Sequence, residues 1–190
     1  MPELLLFRHA KSRWDEPEVG DHDRDLAPRG LEAARRMGAL LRERGLIPDR
    51  VLCSTARRAV HTWELAAQEL GAAAPVRLDD RLYMAAPERI VTVARELGGD
   101  ARRLLVVGHD PGMHRLAIRL VGKGDAGLRD RLAAKFPTAG LACYRLGLAR
   151  WAEFSGAPGE LVGVWRPRDL DAADRPGAKG PVELGSEDRP

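Results

Sequence analysis

Short uninterrupted runs of apolar residues recur along the chain. The clearest are residues 4–7, 51–53 and 104–107. Runs of this length are typical of strands that are covered on both faces, as in a parallel sheet. We also expect a short extended segment at Val76 and Leu78, and late strands at 140–146 and 160–165.

Segments with helical spacing separate these runs. Pro28 suits the first turn of a helix, and the apolar or small residues up to Leu41 fall on one face, with Gly45 as a stop. The same reasoning predicts further helices over 56–70, 87–98, 112–121 and 126–135.

Alternation of strands and helices predicts the fold class. Strands that alternate with helices of this length indicate an α/β domain, here a three-layer α/β/α sandwich with a mainly parallel central sheet. We place this domain at residues 1–165 and expect a flexible tail over 166–190, which is rich in Pro, Gly and charged residues. The polar stretch 12–27 is a loop long enough for a functional role.

Composition narrows the classes of partner. The 190 residues carry a net charge of only +3 and 5% aromatic residues, which argues against a nucleic-acid-binding surface. No apolar run approaches the roughly 20 residues needed to span a bilayer, so we expect no membrane association. The N-terminus lacks the pattern of a signal peptide. We therefore predict a cytoplasmic protein, and we expect a monomer.

Three segments with phosphate-type chemistry follow predicted strands. They are Arg8-His9, STARRAVHT at 54–62 and GHDPG at 108–112. Ligands of open α/β sheets bind beyond the carboxyl ends of the strands. We expect the three segments to meet there and to form an anion pocket.

Together these motifs resemble a known family. RHAKS near the start, DRDLAPRG at 23–30, STARRAVHT and VVGHDPGM resemble the histidine phosphatase superfamily, and most closely its SixA-like branch of phosphohistidine phosphatases. The resemblance covers about residues 3–120. It implies hydrolysis of phosphate from a phosphorylated protein or a small phosphorylated substrate, without a metal or other cofactor.

The resemblance also implies a role for individual residues. His9 matches the histidine that attacks phosphorus, and Arg8 matches the arginine that holds phosphate oxygens. Arg58, four residues after the serine of the SxxxR segment, matches the second arginine. His109 matches the second histidine of the phosphate pocket, and Ser12 is placed near that pocket as a phosphate-binding residue.

Elementary chemistry agrees with this assignment. A phosphoryl group in transfer carries negative charge on its equatorial oxygens, so catalysis rests on positioning and on cations aimed at those oxygens. The planar guanidinium of arginine can donate two parallel hydrogen bonds to them. Neighbouring arginines also disfavour protonation of a histidine, which keeps the nucleophile neutral.

The sequence leaves open which residue would donate a proton to an ester leaving group. Asp79 and Asp80 lie in the region where larger relatives carry an acidic residue, and Glu16, Asp21 and Asp23 of the first loop are alternatives. A phosphoamidate leaves more readily than an alkoxide, so a missing acid would fit a phosphohistidine substrate.

Other residues have two readings. Ser54 is either a helix N-cap or a phosphate contact, and Arg29 is either at the pocket mouth or on the surface. Lys11 is either exposed or near the pocket, whereas we place Arg57 on the solvated face of its helix.

Several other functions were compared with the phosphohistidine phosphatase. A phosphatase for small phosphomonoesters would use the same pocket, and a non-catalytic phosphate or phosphoprotein binder would have no need of His9. A cysteine phosphatase is excluded, because only four residues separate Cys53 from Arg58 and that chemistry requires a loop of five. GKGD at 122–125 lacks the remaining residues of a nucleotide-binding P-loop.

Overall fold

The computed structural model describes residues 1–15 and 17–173 of the chain. Within these residues, seven strands form one sheet: β1 Glu3–Arg8, β2 Arg50–Ser54, β3 Val76–Asp79, β4 Arg103–Gly108, β5 Val121–Gly124, β6 Leu141–Arg145 and β7 Gly159–Trp165. The same described ranges contain six α-helices: α1 Pro28–Glu43, α2 Arg57–Leu70, α3 Pro87–Leu97, α4 Gly112–Arg119, α5 Ala126–Ala134 and α6 Pro167–Ala173. Within this described part, no helix has the length and apolar character required to cross a membrane.

The sheet is mainly parallel, as the sequence predicts. Its strand order is β3-β2-β4-β1-β6-β7-β5. Strands β1 to β4 run parallel to one another, and β7 pairs in parallel with β5. Only β6 among the described strands runs the other way, and it pairs antiparallel with both β1 and β7.

Alternate residues of the buried strands face two separate cores. Leu4 and Leu6 of β1 belong to a cluster with buried residues of α3, α4 and α5. Leu5 and Phe7 belong to a second cluster with residues of α1 and α2. Successive strand side chains point to opposite faces, so helices cover the sheet on both sides and the three-layer prediction is confirmed.

Two boundaries differ from the pattern-based predictions. The helix predicted over 112–121 ends at Arg119, because the chain turns there into β5, an edge strand of sequence VGKG that carries little apolar signal. Helix α6 lies inside the predicted tail, contacts α1 and is preceded by Arg166, which pairs with Asp169 at 2.9 Å. The folded part thus extends past residue 165, and residues 174–190 of the predicted tail lie outside the described residues.

Helix α1 packs closely against the backbone of α2 at Gly38. A Cβ atom placed on Gly38 would lie 2.2 Å from the carbonyl oxygen of Ala66 and 2.7 Å from its Cα atom. Backbone atoms in the middle of a helix cannot move aside cheaply, so this crossing requires a residue without a side chain.

We expect Gly38→Ala to lower the free energy of unfolding by about 1–2 kcal/mol, because overpacking outweighs the better helix propensity of alanine. Urea unfolding followed by circular dichroism measures this change. Gly147→Ala is the matched control, because a Cβ atom there meets nothing within 4 Å. The free energy of unfolding of the control should stay within about 1 kcal/mol of that of the unchanged protein. Equal effects of the two substitutions would contradict this account of the helix crossing.

Candidate active site

The sheet brings the three predicted segments to one edge. Strand β4 lies between β1 and β2, so the residues that follow these three strands are neighbours. Arg8 at the end of β1 is in register with Gly108 at the end of β4. As a result the rings of His9 and His109 lie 4.9 Å apart between centroids, tilted by 50°.

Hydrogen bonds fix the orientation and the tautomer of His9. Its Nδ1 lies 2.7 Å from the carbonyl oxygen of Ala10. A carbonyl oxygen only accepts, so Nδ1 carries the proton and donates it. The backbone of His9 is held as well, since its N–H donates to Gly108 and its carbonyl accepts from Ala139, both at 3.0 Å. The lone pair of the other ring nitrogen, Nε2, is therefore available for a nucleophilic role.

His9 is neutral at physiological pH. Burial, to which the positive charges of Arg58 and Arg8 add, lowers the pKa of His9 to about 4, against the opposing effect of its hydrogen bond to Ala10. The side chain is buried and next to two cations, so protonation would add a third positive charge in a poorly solvated place.

His109 is buried more deeply than His9. Its Nε2 lies 2.7 Å from Oγ of Ser54, and its Nδ1 is buried without a hydrogen-bond partner among the described residues. Burial, followed by the effects of His9 and Arg58, lowers the pKa of His109 to about 3. Ser54 Oγ also accepts a hydrogen bond from the N–H of Ala56 at 3.3 Å. Ala56 itself is the N-cap of α2 and no described side chain caps that helix start, so the predicted N-cap role of Ser54 is wrong, and its hydroxyl instead contacts His109.

Two partners hold the guanidinium of Arg8. Its Nη1 donates to the carbonyl oxygen of Phe136 at 2.6 Å and pairs with Oδ2 of Asp110 at 3.2 Å. Its Nε is buried and has no hydrogen-bond partner in the part of the chain that the structure describes. The guanidinium is thus anchored through one terminal nitrogen, which leaves other N–H groups for an anion.

Arg58 on α2 is one of the most buried charged residues, with 4% of its surface exposed. Its carbonyl oxygen accepts from Oγ1 of Thr62 at 2.5 Å, and the same Oγ1 accepts from the N–H of Ala10 at 3.0 Å. Thr62 therefore ties the helix turn that carries Arg58 to the residue after His9. The guanidinium donates to the carbonyl oxygen of Asp21 and, at 2.9 Å, to its Oδ2.

Of the five carboxylates considered as proton donors, Asp21 is the one that the structure brings to this site. The hydroxyl of Tyr83 donates to its Oδ2 at 2.6 Å, and this bond together with Arg58 lowers the pKa of Asp21 despite an opposing contribution from burial. Asp21 is therefore ionised at neutral pH and cannot serve as a general acid.

Three further candidates lie among the described residues, and each has other surroundings. Asp79 is fully engaged by Arg81, whose Nε and Nη2 donate to its two oxygens at 2.9 and 2.7 Å, and this partner lowers the pKa of Asp79. Asp80 is exposed, and Asp23 is an exposed residue paired with His22 at 3.2 Å. Glu16 lies outside the described residues.

The structure places the residues for which the sequence left two interpretations. Ser12 is buried and its backbone pairs with Leu26 across the first loop, so its contact with phosphate stays a prediction. Arg29 is exposed in the first turn of α1, and Lys11 is half-buried. Arg57 is exposed and pairs with Asp25 at 3.0 Å, away from Arg58.

Four contacts of the site were not predicted from the sequence. Thr62 and Asp110 lie within the quoted motifs STARRAVHT and GHDPG, so a motif-based signal for them existed. Tyr83, whose ring meets that of His109 edge-on at 5.4 Å, and the carbonyl of Phe136 lie outside every motif. No local pattern marks residues that reach a site only through folding.

Two alternative chemistries find no support at this edge. Among the described residues, no group of three or more His, Cys, Asp or Glu side chains is arranged to hold a metal ion. The thiol of Cys53 is buried beneath the site, and burial raises its pKa, which disfavours the thiolate that a cysteine nucleophile needs.

Comparison with known sequences points to one family. The profile of the Histidine phosphatase superfamily (branch 1) matches residues 4–84. An uncharacterised protein of Mycobacterium tuberculosis (strain ATCC 25618 / H37Rv) is 41% identical over 164 residues, which are 85% of this chain and 100% of that protein. A 2,3-bisphosphoglycerate-dependent phosphoglycerate mutase of Thermobifida fusca (strain YX) is 44% identical, but over 73 residues that make up 30% of the mutase.

Comparison with solved structures agrees. A candidate phosphohistidine phosphatase SixA from Nakamurella multipartitia superposes with a TM-score of 0.74 at 33% identity. The match covers 87% of this chain and 96% of that protein. The fold is thus shared over nearly the whole length of that protein, whereas the similarity to the mutase covers only 30% of its length.

The two lowered histidine pKa values predict a stability change with pH. In the unfolded chain histidines bind protons near pH 6.5, whereas His9 and His109 in the folded chain bind them only near pH 4 and 3. Between these limits the unfolded state binds more protons, so stability falls as the pH falls. From pH 7 to 5 we expect a loss of about 1–2 kcal/mol per histidine.

Urea unfolding at both pH values measures this loss, and His109→Gln is the comparison. The variant lacks one of the two groups, so its stability should fall by about 1–2 kcal/mol less than that of the unchanged protein over the same interval. The same pH dependence in both proteins would show that His109 is not buried in its neutral form.

Proposed function

Since this chain belongs to the SixA-like branch of the histidine phosphatase superfamily, we propose that it is a phosphatase that acts on phosphohistidine side chains of proteins. The phosphate passes through a covalent intermediate on His9, and no metal takes part. The monomeric state and the cytoplasmic location stay predictions from the sequence.

One observation carries this proposal: a neutral His9, with its Nε2 lone pair available, lies among two arginines and a second histidine. We assign His9 the role of nucleophile, and Arg8, Arg58 and His109 the role of holding the phosphoryl oxygens. Cationic donors at those oxygens stabilise the charge of the transferring group, and their positions are fixed before the substrate arrives.

The reaction proceeds in two displacements. In the first, the lone pair of His9 Nε2 forms a bond to phosphorus while the P–N bond to the substrate breaks and its electron pair returns to the substrate imidazole. His9 then carries the phosphoryl group on Nε2 and keeps its proton on Nδ1, so its ring is cationic. In the second, water attacks phosphorus, the bond to Nε2 breaks, and dihydrogen phosphate and neutral His9 result.

The choice of phosphohistidine as substrate rests on the ionised state of Asp21, the described candidate carboxylate at the site. An alkoxide leaving group needs a proton, and among the described carboxylates the one in the site, Asp21, is ionised. A substrate imidazole protonated on its other nitrogen departs as a neutral molecule and needs no further proton. The full-length similarity to a candidate phosphohistidine phosphatase supports the same choice.

A phosphatase for small phosphomonoesters is the second candidate. The local similarity to a phosphoglycerate mutase favours it, because that enzyme acts on small phosphorylated molecules. Rates on a phosphohistidine peptide, a phosphoserine peptide and a sugar phosphate, measured on one preparation, separate the two. Faster turnover of the sugar phosphate would replace the protein substrate in our proposal.

Incubation with phosphoramidate should place a phosphoryl group on His9. The expected product is an acid-labile, alkali-stable adduct of one phosphoryl group, detected by mass spectrometry after an alkaline quench. His9→Ala should lose both the adduct and turnover while still binding inorganic phosphate. Turnover that survives in His9→Ala, or that depends on added divalent metal, would contradict the mechanism.

Arg58 and Arg57 form a natural pair for a second test. Loss of one donor to the phosphoryl oxygens typically costs about 10²- to 10³-fold in rate, so we expect a decrease of this size in kcat/KM for Arg58→Ala. Arg57→Ala removes an exposed guanidinium from the next position and should change kcat/KM less than about threefold. Thermal unfolding establishes whether both variants fold. If Arg58→Ala does not fold, Arg58→Lys takes its place in the same comparison with Arg57→Ala. Similar losses for the two arginines would refute the assignment of Arg58.

A further inference from the structure

Asp21 occupies an unexpected place for an acidic residue. It begins the 3-10 turn Asp21–Asp23 in the first loop, and both its backbone carbonyl and its Oδ2 accept from the guanidinium of Arg58. A second donor, the hydroxyl of Tyr83, reaches Oδ2 at 2.6 Å. These bonds hold a carboxylate beside the guanidinium that we assign to the phosphoryl group.

One oxygen of this carboxylate keeps unused acceptor capacity. Oδ2 accepts two short hydrogen bonds, whereas the contact of Oδ1 within the described residues is a long one, 3.4 Å from Nη1 of Arg24. Each carboxylate oxygen can accept about two hydrogen bonds. The side chain of Asp21 is 46% exposed, so Oδ1 is accessible to a bound molecule.

The charge of Asp21 reaches the two histidines. Its negative charge acts to raise the pKa of both His9 and His109, although burial dominates at each of them. Tyr83 joins this carboxylate to the histidine pair, because its hydroxyl donates to Oδ2 of Asp21 and its ring meets that of His109 edge-on at 5.4 Å.

We propose that Asp21 determines specificity for phosphohistidine by accepting a hydrogen bond from the ring N–H of the substrate imidazole. This inference rests on the proposed function and adds the group that recognises the leaving side of the substrate. A ring that carries phosphate on one nitrogen and a proton on the other is cationic, and an ionised carboxylate is the matching partner.

The hydrogen bond favours the form of the substrate that reacts. The substrate proton stays on its ring nitrogen throughout, hydrogen-bonded to Oδ1, while the P–N bond breaks and its electron pair neutralises the ring. An ester has no such proton, and its leaving oxygen gains negative charge near the carboxylate. The same charge therefore assists one class of substrate and opposes the other.

Asp21→Asn tests this role with two peptides of one sequence, which carry phosphohistidine or phosphoserine at the same position. A charge-assisted hydrogen bond predicts that kcat/KM for the phosphohistidine peptide falls about 10- to 100-fold. The value for the phosphoserine peptide should stay the same or rise. Inhibition by inorganic phosphate should be unchanged or tighter, which shows that Arg58 is still in place.

Asp23→Asn is the matched control. Asp23 lies on the same turn, and its exposed carboxylate pairs with His22 rather than with Arg58. This variant should turn over both peptides at the same rates as the unchanged protein. An effect of Asp23→Asn equal to that of Asp21→Asn would mean that any charge on the loop suffices, and would overturn the assignment.

The two substrates also separate the possible failures. Equal losses on both peptides in Asp21→Asn would make Asp21 a positioning residue for Arg58, and gains on both would make it a competitor of phosphate; either result overturns the inference. Preference of the unchanged protein for the phosphoserine peptide would instead refute the proposed function itself. The ratio of kcat/KM for the phosphohistidine peptide to that for the phosphoserine peptide tests the proposed function in the unchanged protein. The change of this ratio in Asp21→Asn tests the further inference independently.

Discussion

The hydrogen bonds that place β4 between β1 and β2 are the constraint on which the site depends. These three strands end at the same edge: His9 and His109 directly follow β1 and β4, and Arg58 lies four residues after the end of β2. The distance between His9 and His109 follows from the register of Arg8 with Gly108. A shift of one residue in either strand would turn one of the two rings to the other face of the sheet.

Burial acts in the same direction on both kinds of residue at this edge, but with different consequences. It lowers the pKa of both imidazoles far enough that His9 is neutral at physiological pH. Burial also lowers the pKa of Arg8, but that guanidinium stays charged, because it starts from a much higher pKa, is paired with Asp110 and donates to the carbonyl oxygen of Phe136. A neutral imidazole and a cationic guanidinium can therefore coexist at one edge of the sheet.

Both arginines also pair with a carboxylate, Arg8 with Asp110 and Arg58 with Asp21. Partial neutralisation reduces the repulsion between a half-buried and a buried cation, and each carboxylate uses only part of the donor capacity of its partner. The remaining N–H groups are free to bind the phosphoryl group of the proposed reaction.

Local sequence patterns were sufficient to predict much of the structure of this protein. Apolar runs predicted the buried strands, helical spacing predicted the helices around them, and motif spacing predicted that Arg8, His9, Arg58 and His109 would come together. These features are encoded by neighbours in the chain, since each depends on periodicity or on the residue that follows a strand. Strand β5 was missed because four residues with two glycines at a sheet edge carry no such periodicity.

Only the tertiary structure decided what surrounds these four residues. The partners of Arg58 and Arg8 lie 37 and 128 positions away in sequence, and Tyr83 meets Asp21 across 62 positions. Whether a carboxylate is a proton donor or an ionised acceptor depends on such partners, since hydrogen bonds and nearby charges set its pKa. Sequence alone therefore left five carboxylates as alternatives, and the packing of distant segments distinguished Asp21 from the three others that the structure describes.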